Sequence, residues 1–360
     1  MGKAKCFLKL PLALAAATLV AGQAMAQNAS NVVLYGVVDE FVTHIKVEGA
    51  GAVTRLDSSG LLASRWGMRG REDLGAGLAA NFALEYGFNA DNGSAADANR
   101  PFNRQSWAGM SGSWGEFRLG RQNTPQFFMN GKFDAFGGAT QASGWNNVTG
   151  TAPRVDDAVG YFTPVLANVK AQVLYARGAI AGAPVAAESR ANRNIHTAVE
   201  YEIPRLYVGL NHEIIDNQSL AFSQRRLGLG ASYAVTSRWR IYAATGRETR
   251  SDGSLNQNLY AISAGWQLTP ASNLAFGYFK LKDRLSGAGH GDADQTSVLY
   301  RYSLSKRTTI YSALSHLQQH GLRNNLSLGG AAVVAAGARP TTAVPGGSID
   351  ALQLGITHSF

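Results

Sequence analysis

From about residue 32 onward this chain repeats one pattern: short runs in which apolar residues alternate with polar or small ones. Leu78, Ala80, Phe82, Leu84, Tyr86 and Phe88 share one parity, with Asn81, Ala83, Glu85 and Gly87 on the other. Leu227, Leu229, Ala231, Tyr233 and Val235 oppose Arg226, Gly228, Gly230 and Ser232. In the terminal run, Leu352, Leu354, Ile356 and Phe360 oppose Gln353, Gly355, Thr357 and Ser359, and the run is still in register at Phe360. A period of two belongs to strands with one apolar face. The pattern predicts roughly sixteen of them. Further strands fall near 32–44, 62–72, 104–113, 116–122, 157–163, 168–177, 195–203, 206–215, 237–249, 260–268, 272–283, 298–304 and 307–318. The run at 32–44 is ambiguous, because both of its parities carry apolar residues.

The connections sort by length. Short ones such as Asp73-Leu74-Gly75-Ala76, Ile203-Pro204-Arg205 and Thr269-Pro270-Ala271-Ser272 are rich in turn formers. Long ones, at 45–61, 89–103, 123–156, 178–194, 216–224, 250–257, 284–296 and 319–348, alternate strictly with them. That alternation predicts an all-β fold: a transmembrane, antiparallel, up-and-down β-barrel with tight turns on one side and long loops on the other. A sheet can cross lipid only when no edge is left unpaired, so the last strand pairs with the first. An ordinary edge strand of a sandwich is the competing reading of the last run. A barrel of this size is too wide for side chains to fill, so water occupies the lumen and the polar parity lines it. Trp239, Trp266, Tyr302 and Phe360, near strand ends, suit interfacial aromatic girdles.

The start of the chain changes the picture of where this barrel resides. Lys3, Lys5 and Lys9 flank an apolar run from Leu10 to Gly22, followed by Ala24-Met25-Ala26. This is the layout of a secretory signal peptide, expected over 1–26, with the barrel over 27–360. Cys6, the one cysteine, lies in the leader, so the mature chain offers neither disulfide nor thiolate metal site. The formal charge of +9 becomes +6 once the three leader lysines are gone.

Candidate chemistry is concentrated on the inward parity. Arg65, Arg69 and Arg71 alternate with Trp66, Met68 and Gly70. Arg104, Arg118, Lys170, Arg238, Arg240 and Arg301 also point inward, against Glu85, Glu200 and Glu202. The stretch from about 123 to 156 holds Phe127, Phe128, Phe133, Asp134, Phe136 and Trp145. Its aromatics can pack on a wall, so this third loop is expected to fold into the lumen and narrow it; a cap outside the barrel is the alternative. Arg65, Glu85, Arg104 and Asp134 lie on neighbouring strands and this loop, and are the candidate constriction. Fixed rings of charge at a narrowing select ions. No G-x-S-x-G, H-E-x-x-H or P-loop pattern occurs, and the histidines are scattered. No cofactor, metal or nucleic-acid partner is implied.

Several stretches, in order along the mature chain, resemble the general porins of Gram-negative bacteria, in particular the betaproteobacterial type. They are Val33-Leu34-Tyr35-Gly36-Val37-Val38-Asp39, Ser64-Arg65-Trp66-Gly67-Met68-Arg69-Gly70 with Glu72-Asp73-Leu74-Gly75, Phe102-Asn103-Arg104-Gln105-Ser106-Trp107-Ala108-Gly109, Leu119-Gly120-Arg121-Gln122 and the closing Thr357-His358-Ser359-Phe360. The resemblance implies a sixteen-stranded homotrimer in the outer membrane, surrounded by lipid and lipopolysaccharide, with Phe360 as a signal to the barrel-assembly machinery. It places Arg65, Arg104 and Arg154 on the basic side of the eyelet, with Glu85 and an inner-loop acid, Asp134, opposite. Arg71 and the Ala/Gly-rich stretch from Gly329 to Gly347 depart from that family's pattern. The expected function is a passive channel for ions and small hydrophilic solutes, preferring anions because the inward parity is basic. The alternatives are an outer-membrane hydrolase or acyltransferase on a smaller barrel, and a substrate-specific channel.

Overall fold

The computed structural model describes residues 31–137, 141–148, 153–177, 193–217, 222–329 and 344–360. The predicted leader lies outside them, as does most of the stretch from Gly329 to Gly347. The described residues form seventeen strands in one sheet. The first three are β1 (Asn31–Val47), β2 (Gly51–Ser58) and β3 (Arg65–Gly75). Next come β4 (Leu78–Gly87), β5 (Gln105–Gly112), β6 (Gly115–Asn123), β7 (Arg154–Phe162) and β8 (Val169–Arg177). Then follow β9 (Arg193–Ile203), β10 (Leu206–Asn217), β11 (Phe222–Ala234), β12 (Trp239–Arg250) and β13 (Asn256–Thr269). The last four are β14 (Ser272–Asp283), β15 (Ala293–Ser303), β16 (Thr308–Gln319) and β17 (Ser348–Ser359).

Seventeen strands make sixteen staves, because β2 and β3 are two halves of one. Both pair with β1: Val47↔Gly51 to Glu40↔Ser58 above, Val37↔Arg65 to Asn31↔Arg71 below. All pairings are antiparallel, and β1 closes the ring on β17 from Val37↔Ser359 to Val47↔Ile349. Among the described residues the sheet thus has no unpaired edge strand, as lipid demands.

One expectation for the start of the barrel is corrected. The long first loop, 45–61, is absent: a tight turn at 48–50 returns the chain into β2, and the interruption comes later, at 59–64. The ambiguous first strand faces both ways for a reason. Val38 and Val42 lie on the outer surface, whereas Phe41 and Ile45 point inward into an apolar cluster.

That cluster belongs to the third loop, which folds into the barrel. Two short helices, α1 (Pro125–Phe133) and α2 (Gly144–Val148), and the turn after α1 lay Met129, Phe133, Phe136 and Trp145 on the inner faces of the later staves. Elsewhere the wall is inside-out relative to a soluble protein. Leu354 is 53% exposed on the outside while its neighbour Gln353 is 0% exposed on the inside. At the tight-turn side Trp239 and Trp266 stack at 5.0 Å, with Phe276 edge-on to Trp239, a fragment of the expected girdle.

Candidate pore constriction

The inner loop is seated by shape. α1 starts where Thr124 Oγ1 accepts the Phe127 amide at 3.3 Å and Pro125 fills the first helical position. Its far end lays the Phe133 ring on Gly230; a Cβ there would stand 2.1 Å from the ring. Trp145 packs edge-on to Phe133 at 5.5 Å and donates to Asn130 Oδ1 at 2.7 Å. Arg301 on β15 holds the carbonyls of Ala135 and Phe136, at 3.2 and 2.7 Å. Gln295 takes hold of the next part, donating to the Gln141 carbonyl at 3.0 Å and accepting from Asn147 at 3.0 Å. Each fully buried aromatic here contributes about 2–3 kcal/mol.

Across the lumen, on the early staves, stands a charged group. Glu85 on β4 is buried between two guanidiniums. Its Oε1 accepts from Arg104 Nε at 2.7 Å, and its Oε2 lies 3.4 Å from Arg65 Nε. Tyr35 donates its hydroxyl to the same Oε2 at 2.9 Å. Strand register produces this meeting: Gly67 faces Glu85 across β3–β4, and Gln105 faces Glu85 across β4–β5. Gly87 has no side chain, so the Arg104 methylenes pass over it; a Cβ would sit 3.0 Å from Arg104 Cδ. Arg154, the first residue of β7, stacks on the Phe127 ring at 5.2 Å. It lies within electrostatic reach of Arg104, Glu85, Arg121 and Arg65, and among the described residues its Nε has no hydrogen-bond partner. Asp156 is taken up by Arg100, at 3.0 Å, and by Arg121. The geometry thus brings Arg65, Glu85, Arg104 and Arg154 together.

Asp134 does not join them. It caps α1 from inside the loop, where its carboxylate accepts from Ser143 Oγ at 2.6 Å and from the Phe136 and Gly137 amides at 2.9 Å. Only 2% of it is exposed, so it cannot face Glu85 across water. Burial pushes its carboxyl above the ordinary range, against the pull of Ser143, the two amides and Arg301. Its acid braces the loop.

The other basic residues of the predicted inward parity have partners of their own and stand apart from Glu85. Arg69 lies over the Tyr35 ring at 5.3 Å, and Arg71 donates to Ser111 Oγ at 3.1 Å. Arg118 is sandwiched between the Trp107 and Phe162 rings, at 4.3 Å from each, and pairs with Glu116 at 2.7 Å. Lys170 faces Glu200 in register. A second charged group escaped the sequence reading. Arg226 is buried between Glu213 at 2.8 Å and Glu248 at 3.0 Å, and Gln257 donates to Glu248 at 2.7 Å. All four share one cross-strand level from β10 to β13. Equal parity in each strand was the available signal, but the registers that align them came only with the pairing.

An apolar outer wall, a polar inner wall and a loop folded across the lumen define a porin, and the comparisons agree. A family model for Gram-negative porins matches residues 13–322, and the chain belongs to that family. It is 30% identical over 366 residues to outer membrane porin protein 32 of Delftia acidovorans, covering 98% of this chain and 100% of the relative. An outer membrane porin of Bordetella pertussis is 32% identical over 360 residues, covering 83% of this chain and 92% of the relative. Among solved structures, an anion-selective porin from Comamonas acidovorans superposes with a TM-score of 0.76 at 27% identity, over 92% of this chain and 100% of that one. The trimer form of Vibrio cholerae OmpT, at 12% identity and a TM-score of 0.66 over 92% of this chain and 100% of that one, shares the fold. The protein is therefore a multi-pass outer-membrane channel. Members of this family are non-enzymatic, which sets the hydrolase and acyltransferase alternatives aside.

Proposed function

We propose that this porin prefers anions, and that Arg65, Arg104 and Arg154, set against Glu85, give it that preference. The observation that carries the reading is the charge balance of one cluster: three guanidiniums share one carboxylate, and Arg154 has no acid of its own among the described residues. A unit charge about 5 Å from an ion path through water is worth roughly 0.8 kcal/mol, about fourfold in entry. Salt weakens it over a Debye length of about 8 Å at physiological strength. The Comamonas acidovorans porin that this chain resembles is anion-selective, which supports the same sign. In a potassium chloride gradient the reversal potential should report anion preference, shrinking as salt rises. Arg65→Ala with Arg104→Ala should reduce that preference about sixteenfold, two such charges at about fourfold each. Cation preference in the unmodified protein would overturn the reading.

The same reading takes the working form as a homotrimer embedded in outer-membrane lipid and lipopolysaccharide. Trimers occur among its structural neighbours, and the outer faces of the early staves carry Val32, Leu34, Trp66 and Leu119 in the open. Residues 1–26 serve as a cleaved leader, and Phe360 as the signal to the assembly machinery.

A further inference from the structure

The second stave leaves the wall between Ser58 and Arg65. Ser59 adopts a left-handed φ of 73°, and the backbone turns into the lumen. Gly60 lies so close to the inner wall that a Cβ would stand 2.2 Å from the Tyr311 hydroxyl and 2.5 Å from Phe41. Leu61 joins the apolar cluster that also holds Phe133 and Trp145, while Leu62 is exposed. This is a second inward element, separate from the α1–α2 loop.

Asp39 on β1 holds it. The carboxylate is 0% exposed and is satisfied by neutral donors. Oδ1 accepts from the Gly60 amide at 2.8 Å and the Tyr311 hydroxyl at 2.7 Å. Oδ2 accepts from the Leu61 and Leu62 amides at 3.1 and 2.9 Å. Three successive amides converging on one anion form a nest. The Asp39 backbone completes the clasp: its amide donates to Ser64 Oγ at 3.0 Å, and its carbonyl accepts from the Ser59 amide at 2.8 Å. Ser64 is the residue before Arg65, and the Arg65 guanidinium turns back to the Ala63 carbonyl at 2.7 Å. The segment held by Asp39 is thus the platform on which the Arg65 side chain stands.

We propose that Asp39 is the positioning residue for Arg65: by folding residues 59–64 into the lumen it sets where that guanidinium meets the permeating ion. The proposal rests on the reading that Arg65 contributes to selectivity, and its test separates the two. In planar bilayers, Asp39→Ala should move the reversal potential toward that of Arg65→Ala. The Asp39→Ala, Arg65→Ala pair should differ little from Arg65→Ala alone, whereas Asp39→Ala with Arg104→Ala should add. Independently of selectivity, Leu61→Cys should react slowly with a water-soluble thiol reagent, and about tenfold faster when Asp39→Ala is added, the cost of losing one charge-assisted clasp. The mature chain has no other cysteine to confuse that readout. Should Asp39→Ala fail to fold, Tyr311→Phe and Ser64→Ala each remove one strut and are read by the same two measurements. Additive potentials in the Asp39–Arg65 pair together with unchanged labelling would overturn the proposal. An unmoved potential in Arg65→Ala alone would overturn the selectivity reading, and the labelling would still decide the clasp.

Discussion

At the scale of the residue, Glu85 is the most informative position. Two arginines and a tyrosine share its two oxygens, so the carboxylate both neutralises and holds the basic group. Glu85→Gln removes the one negative charge and should raise anion over cation preference by at least about fourfold in the reversal potential. The same change breaks a buried ion pair, for which a loss of about 3–5 kcal/mol is usual. The temperature at which the folded band is lost on unheated gels should therefore fall. Reduced anion preference in Glu85→Gln would mean that the arginines need the acid to face the ion path. Arg65 and Glu85 were legible because period two assigns each a face, and neighbouring strands bring equal faces together. Asp134 was not, because its role depends on a helix end that no strand period reports. Arg154 came from family resemblance alone, since its place after a long loop leaves the register open.

At the scale of the element, the inner loop is a plug whose seats are small residues of the wall. Trp145 is 2% exposed and sits against Phe133 and near Gly246. Trp145→Ala should cost the docked loop about 3–5 kcal/mol, by analogy with large-to-small core changes. The measurable result is a higher single-channel conductance with more open-channel noise; an unchanged, quiet current would show that the loop is held by other contacts. The location of this loop is legible in its aromatics, but no strand period reports its helices. Thr124-Pro125 is a helix-start signal that could have revealed α1. The interrupted second stave was hidden for a different reason. Between Glu48 and Val53 the sequence is Gly and Ala, so alternation carries no contrast and a tight turn reads as a loop.

At the scale of the whole molecule, closure is the property everything else depends on. It is made by β1 and β17, and its last bonds run between Gly36 and Phe360, at 3.0 and 3.1 Å in the two directions. The Phe360 ring covers Gly36, where a Cβ would lie 2.2 Å from its tip. Deleting Phe360 removes both backbone bonds and the ring, and should sharply lower the yield of folded, heat-modifiable barrel. Normal yield from the truncated chain would mean that the seam closes without it.

The opposed faces of each stave behave like two interleaved messages, one addressed to lipid and one to the solute. Leu354 belongs to the first and Gln353 to the second. Removing a single residue from mid-stave exchanges the messages from that point on, sending leucines to water and charges to hydrocarbon. Removing two keeps each message on its own track. Stave length in this barrel can therefore drift only in steps of two, except beside the irregularities at Asp73/Gly75, Gly120/Gln122 and Gln267/Thr269, where an odd residue is already absorbed.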